Sequence, residues 1–170
     1  MRTRRVTVVP YDPQWVEDFE NIKREITCVL ADRILTVEHV GSTAVAGLPA
    51  KPIIDLDVVI ANASALPPVI QGLAAIGYIH EGNLGIEGRE AFRYEGKPHL
   101  RKHHLYVCPQ DSKELHRHLT FRDYLRTHPE AAAEYGRTKL LAAQLYPEDI
   151  DAYMEHKSSC IQTLYEKCGL

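Results

Sequence analysis

The run at positions 52–60, Pro-Ile-Ile-Asp-Leu-Asp-Val-Val-Ile, is apolar and β-branched apart from its two aspartates. A stretch of that kind reads as a buried strand. Successive side chains of a strand alternate between its faces, so Asp55 and Asp57 project side by side while Ile54, Leu56 and Val58 point the other way. Two adjacent carboxylates repel, and burying both without compensation raises a pKa and costs several kcal/mol. A divalent cation between them removes that penalty. Magnesium suits such a pair because it takes oxygen ligands, keeps some waters and accepts phosphate oxygens for the rest of its shell.

Just upstream stands "HVGSTAV". Gly41 allows close backbone approach, Ser42 and Thr43 offer hydroxyls, and amides at a turn into a short helix form an anion-binding end. Asp55 follows Ser42 by thirteen positions, enough chain to leave one strand, turn and return along a neighbour. Phosphate donors and metal-binding carboxylates then share one cleft. The competing reading puts both aspartates in solvent on a half-covered strand, with Gly-Ser-Thr an ordinary turn.

The rest of the chain alternates recognisably. An extended piece over 5–9 precedes Asp12 and Pro13, a helix-start pair, and Trp15, Phe19, Ile22, Ile26 and Val29 recur at helical spacing. The segment 33–40 is a β-branched strand ending at Gly41. A helix is predicted over 63–76, stopped by Gly77. Glycines punctuate 77–96, which reads as hairpin or loop, and His-His-Leu-Tyr-Val-Cys-Pro at 103–109 is a third clear strand. "DSKE" at 111–114 is a capping-box pattern, after which the chain reads as helix to its end, broken near Pro129 and Pro147. Leu115, Leu119 and Leu125 line the first of these helices. Tyr124, Tyr135 and Tyr153 are read as core.

The 170 residues fit one domain, mixed α/β to about residue 110 and helical from about 111, with the helices packed on the sheet. A net charge of −3 and a pI near 6.3 argue against duplex nucleic acid as a partner. The leading residues lack an apolar core of signal-peptide length, and no window approaches a membrane span. Four scattered cysteines fit reduced thiols, so a cytoplasmic location is expected. Nothing in the sequence specifies an oligomeric state.

The order Gly-Ser, then a strand bearing Asp-x-Asp, resembles the signature of the nucleotidyltransferase superfamily. A wider set of segments, "VVPYDPQW", "VEHVGSTAVAGLPAKPIIDLDVV", "GREAFR", "HHLYVC" and "LTFRDYLRTHPEAAAEYGRTKL", resembles the GrpB family across nearly the whole chain. That resemblance implies a nucleotidyltransferase-like α/β fold: a mixed sheet with flanking helices and a helical C-terminal segment. In some proteins a domain of this type is fused to dephospho-coenzyme A kinase, which points to nucleotide or coenzyme A metabolism.

Active superfamily members usually carry a third carboxylate on a strand beside the Asp-x-Asp strand, and "RKHHLYVC" has none. Alternation places His104 next to the aspartates, and Tyr106 stands where the family commonly shows a second histidine. An imidazole there completes a metal shell but favours zinc, manganese or nickel over magnesium. His103 and His39 are further candidates. His116 and His118 lie roughly 200° apart around a helix, cannot chelate one ion together, and are read as solvated.

The leading expectation is a metal-dependent nucleotide-binding protein that transfers a nucleotidyl group from a nucleoside triphosphate to a small acceptor hydroxyl or amine. Asp55, Asp57 and His104 are the catalytic and metal residues. Gly41, Ser42, Thr43, Lys51, Arg122 and Lys139 meet the phosphates, with Arg89 and Arg93 as further basic candidates. The divalent cation is magnesium, with manganese or zinc as alternatives. The rival expectations are a noncatalytic nucleotide or coenzyme A binding module and a His/Asp metal-dependent hydrolase.

Overall fold

Pro13 fixes the backbone just ahead of helix α1 (Gln14–Leu30), where the Asp12 carboxylate accepts a hydrogen bond from the Gln14 amide at 2.9 Å. Its buried stripe is Trp15, Phe19, Ile22, Ile26 and Leu30, a spacing of three to four residues that defines one helical face. The computed structural model describes residues 5–170. Residues 1–4, part of the stretch weighed for a signal peptide, lie outside the described residues.

Five strands make one sheet: β1 (Thr36–Val40), β2 (Ile54–Ile60), β3 (Tyr78–Gly82), β4 (Glu90–Tyr94) and β5 (His103–Pro109). Their order across the sheet is β1-β2-β5-β4-β3, with β2 and β5 parallel and every other pair antiparallel. The glycine-punctuated stretch is therefore the β3–β4 hairpin. Of the extended piece expected at 5–9, only an isolated bridge from Val9 to Ala50 is present.

Each face of the sheet has its own cover. Helix α1 and helix α2 (Leu66–Ala75), preceded by one 3-10 turn, pack on the side to which Ile54, Leu56, Val58 and Ile60 point. Burying a large aliphatic side chain contributes roughly 1.5–3 kcal/mol, so this layer carries most of the stability. The other side receives α3 (Lys113–Thr127), α4 (Pro129–Leu145) and α5 (Ile150–Lys167). Here Leu115 and Leu119 pack on Val59 and Cys108, while Leu125, Tyr135 and Leu164 close over Val45 and Leu48. Ser112, not Asp111, caps α3, accepting from the Leu115 amide at 3.3 Å. Among the described residues no helix is long and apolar enough to cross a membrane.

The helices on this second side do not seal it. Between them and the aspartates of β2 a cleft remains.

Candidate active site

Register sets the centre of the cleft. On β2 Asp55 lies between Val40 of β1 and His104 of β5, and Asp57 between Glu38 and Tyr106. Both aspartates share one face, as the alternation requires. Neither of their partners on β5 is an acid, so the missing third carboxylate is a feature of the sheet itself. Glu38, the acid across from Asp57 on β1, is occupied by Arg122 at 2.8 Å.

The two carboxylates have different surroundings. Asp55 lines the cleft, and its Oδ1 accepts from His104 Nδ1 at 2.9 Å. Asp57 is wholly buried beneath His118, whose Nδ1 meets Asp57 Oδ2 at 2.6 Å while its Nε2 lies 3.2 Å from Glu114. Burial pushes the Asp57 carboxyl up. Burial also works against a charged His118, but the hydrogen bond to Asp57 and the charges of Asp57 and Glu114 outweigh it and raise its pKa. Both shifts run upward, so the pair holds its shared proton tightly. Asp57 Oδ1 has no hydrogen-bond partner.

Gly41 follows β1 with φ +73, and a Cβ there would stand 2.5 Å from Asp55 Oδ2. No side chain fits between turn and carboxylate, which is why glycine stands at this position. The anticipated short helix is a single 3-10 turn, Ser42–Ala44, too brief to supply a helix dipole. The Thr43 hydroxyl shares a 2.9 Å hydrogen bond with His39 Nε2, and His39 stacks on Phe19 on the core side. His103 points to that side as well, between the Tyr78 hydroxyl and the Arg101 carbonyl, each at 2.7 Å.

Three lysines gather at the turn's end of the cleft. Lys139 is buried, donates to the Pro49 carbonyl at 2.8 Å and sits over the Tyr135 ring. Lys51 and Lys157 flank the Tyr153 ring at 5.6 and 4.8 Å. Burial and mutual repulsion drive the Lys139 amine far below its ordinary value and bring Lys157 to about 8. Among the described residues no carboxylate is hydrogen-bonded to any of them; Asp55 acts through its field. Arg122 behaves differently. It lines the cleft and braces the turn, donating to Glu38 and the His39 carbonyl, as Arg126 does to the Ala44 carbonyl.

On the opposite flank Arg89 lies over the Tyr106 ring at 4.2 Å and Arg117 reaches toward Tyr165 at 5.8 Å. The cleft these groups enclose holds about 390 Å³, within the range of small-ligand sites. Four buried side-chain polar atoms among the described residues lack a partner: Asp57 Oδ1, Arg89 Nε, Arg117 Nε and the Tyr153 hydroxyl. Arg89, Arg117 and Tyr153 line the cleft and Asp57 lies under it. Buried polar groups are otherwise almost always satisfied, so their concentration around one cleft sets this place apart from the rest of the described interior.

The GrpB protein family profile matches residues 5–167. The chain belongs to the GrpB family. Conserved protein GrpB from Enterococcus faecalis has the same fold, with a TM-score of 0.83 and 37% identity over 95% of this chain and 96% of that one. UPF0157 protein YqkA of Bacillus subtilis is 35% identical over 163 residues, 96% of this chain but 47% of YqkA. This GrpB-family chain therefore spans about half the length of that curated relative. Dephospho-CoA kinase of Mycolicibacterium paratuberculosis is 27% identical over 185 residues, 95% of this chain and 46% of that protein. The poly(U) polymerase Cid1, in complex with its product ApU, shares the fold at a TM-score of 0.56 and 11% identity over 81% of this chain. The GrpB architecture is thus nucleotidyltransferase-like.

Sequence reasoning brought Asp55, Asp57, His104, Gly41, Ser42, Thr43, Lys51, Arg122 and Lys139 to one place, and the structure gathers them there, with Asp57 buried beneath the cleft and the others lining it. It missed His118, read as a solvated helix residue, and Lys157. It read Tyr135 and Tyr153 as core, and they are buried yet also line the cleft. The signal for His118 was present: it falls three residues after Leu115 and one before Leu119, on the flank of α3 that packs on the sheet.

Proposed function

We propose that this chain binds a nucleoside triphosphate with a divalent cation and transfers its nucleotidyl group to a small acceptor. The observation that carries the reading is the convergence of unpartnered polar atoms on a cleft floored by Asp-x-Asp and walled by the lysines. The donor set fits a magnesium-like ion. Asp57 Oδ1 is a buried, unpaired carboxylate oxygen beside Asp55 on the same face, while no group of three His, Cys, Asp or Glu among the described residues is set to hold a metal unaided. Two protein oxygens leave the remaining positions to phosphate and water, which is how magnesium commonly sits. An ion held by Asp55 and Asp57 would supply charge stabilisation at the transferring phosphoryl group.

The chain's own residues do the rest. Lys51, Lys139 and Lys157 receive the β- and γ-phosphates, and the Gly41–Thr43 backbone lies against them. The acceptor oxygen bonds to the α-phosphorus, the bond from that phosphorus to the bridging oxygen breaks, and pyrophosphate leaves toward the lysines. His104, lining the cleft at Asp55, takes the acceptor's proton. His118 fixes Asp57 through Oδ2 and leaves Oδ1 directed elsewhere.

A noncatalytic nucleotide or coenzyme A binding module is the second reading, favoured by His104 and Tyr106 standing where a third acid would pair with β2. Calorimetry with a nonhydrolysable nucleoside triphosphate and manganese tests both. Binding that disappears in Asp55→Asn and Lys139→Met supports the site, and pyrophosphate release from the natural nucleotides separates transferase from module. Nucleotide binding unchanged by either substitution overturns the assignment.

A further inference from the structure

The cleft has two cationic ends, and the proposed chemistry uses only one. The lysines stand with the turn after β1. Arg89 immediately precedes β4, on the other side of the aspartates. Between β1 and β4 lie β2 and β5, and at about 4.8 Å per strand the two ends are roughly 14 Å apart. Arg89 is placed by rigid elements. Glu90 pairs with Val107, and the neighbouring Gly88 carbonyl accepts from the Ser112 hydroxyl at 2.7 Å, tying the segment to the cap of α3. Alternation puts Arg89 on the same face as Ala91 and Tyr106, that of the aspartates, and its guanidinium carbon stands 4.2 Å from the centre of the Tyr106 ring, a cation–π contact that holds it in place.

Among the described residues Arg89 makes no ion pair with a carboxylate, and its Nε is buried and unpartnered. Arg117, one residue before His118 on α3, is engaged by Glu114 at one terminal nitrogen, yet its Nε is also buried and unpartnered. A guanidinium offers five donors in a planar fork suited to a carboxylate or phosphate. Two such forks with unused donors on one wall form a second anion site, separate from the lysines.

Its place in the reaction follows from displacement geometry. Entering and leaving oxygens lie roughly in line through phosphorus. With pyrophosphate leaving toward the lysines, the acceptor enters from the arginine side. Resting on the nucleotidyl-transfer reading, we propose that the Arg89–Arg117 wall is the acceptor subsite and that the acceptor is a small hydroxyl compound carrying its own anionic group, a phosphomonoester or a carboxylate.

Glycerol 3-phosphate, glycerate and glycerol serve as matched probes, titrated by calorimetry into the full chain, free and saturated with a nonhydrolysable nucleoside triphosphate and magnesium. The expected result is binding of an anionic probe and none of glycerol, with affinity falling about tenfold or more in Arg89→Ala and partly restored in Arg89→Lys. Preference between the two anionic probes identifies the group. Lys139→Met serves as the counter-variant: it lowers affinity for the nucleotide while leaving the probe's affinity for the free protein in place. Circular dichroism of each variant confirms folding. Equal binding by wild type and Arg89→Ala, or no binding of either anionic probe, overturns the subsite. Failure of the nucleotide to bind while the probe still depends on Arg89 overturns the transferase reading and the acceptor role, and leaves an anion site.

Discussion

Mild acid will loosen the wall of the Gly41–Thr43 turn through one imidazole. His39 is 9% exposed, with its ring 4.6 Å from that of Phe19 and its Nε2 on the Thr43 hydroxyl. Burial is the main cause that brings its pKa to about 4; Asp55 opposes the shift, and Arg126 and Arg122 add to it. In the unfolded chain the same imidazole titrates near 6.5. A group depressed in the folded state costs nothing above its unfolded pKa. As pH falls from 6.5 toward 4 the unfolded chain takes up a proton that the folded one refuses, so stability is lost across that window. The full gap corresponds to about 3 kcal/mol, of which about 2 kcal/mol is reached by pH 5. Against a total stability of about 5–15 kcal/mol this is a large fraction. Urea unfolding of wild type and His39→Asn at pH 7.5 and pH 5 isolates the contribution, because His103, also held near 4, is common to both proteins. The acid-induced loss should be smaller in the variant by about 2 kcal/mol. Equal losses in the two proteins would refute the claim that packing holds His39 neutral.

Three substitutions probe other parts of the site. Gly41→Ala places a methyl at φ +73 and 2.5 Å from Asp55 Oδ2; it should lower unfolding stability by about 1–3 kcal/mol and weaken nucleotide binding in the same titration. Lys139→Met replaces a buried, repelled ammonium with an apolar chain of similar length, so the melting temperature should hold or rise while nucleotide affinity falls about tenfold or more. Ser112→Ala removes both the cap on α3 and the bond to Gly88. A loss of about 1–2 kcal/mol in urea is expected, together with weaker binding of an anionic probe at Arg89.

What the sequence disclosed about this fold depended on range. Helix α1 and strands β2 and β5 were readable because their periodicity is local, and Gly41 was readable because only a close approach explains a glycine between a β-branched strand and two hydroxyls. The contents of the cleft beyond β2 and the turn depend on how α3, α4 and α5 dock, which no local pattern states. His118 illustrates this. The argument that it cannot share an ion with His116 is sound helix geometry, but it says nothing of the sheet beneath, where Asp57 waits. Lys157 looks like any solvated helix lysine until its position four residues after the buried Tyr153 is noticed. Arg122 stands in the cleft lining as expected, and what the sequence did not disclose is that it also braces the turn through Glu38 and the His39 carbonyl.

The distances along the chain between the aspartates and their partners also bear on how the protein is made. His104 follows Asp55 by 49 residues, His118 follows Asp57 by 61, and Lys139 follows Pro49 by 90. Contacts of that span form late, after the entropy of closing the intervening loops has been spent. Until α3 docks, a growing chain presents one of its most aggregation-prone segments, Ile-Asp-Leu-Asp-Val-Val-Ile, with no cover over its second face. The two charges on that face keep the segment hydrated and make stacking with a second copy unfavourable. The aspartates that floor the cleft in the folded protein are thus charges of the kind that opposes such stacking, and they stand in the chain well before His104 and His118.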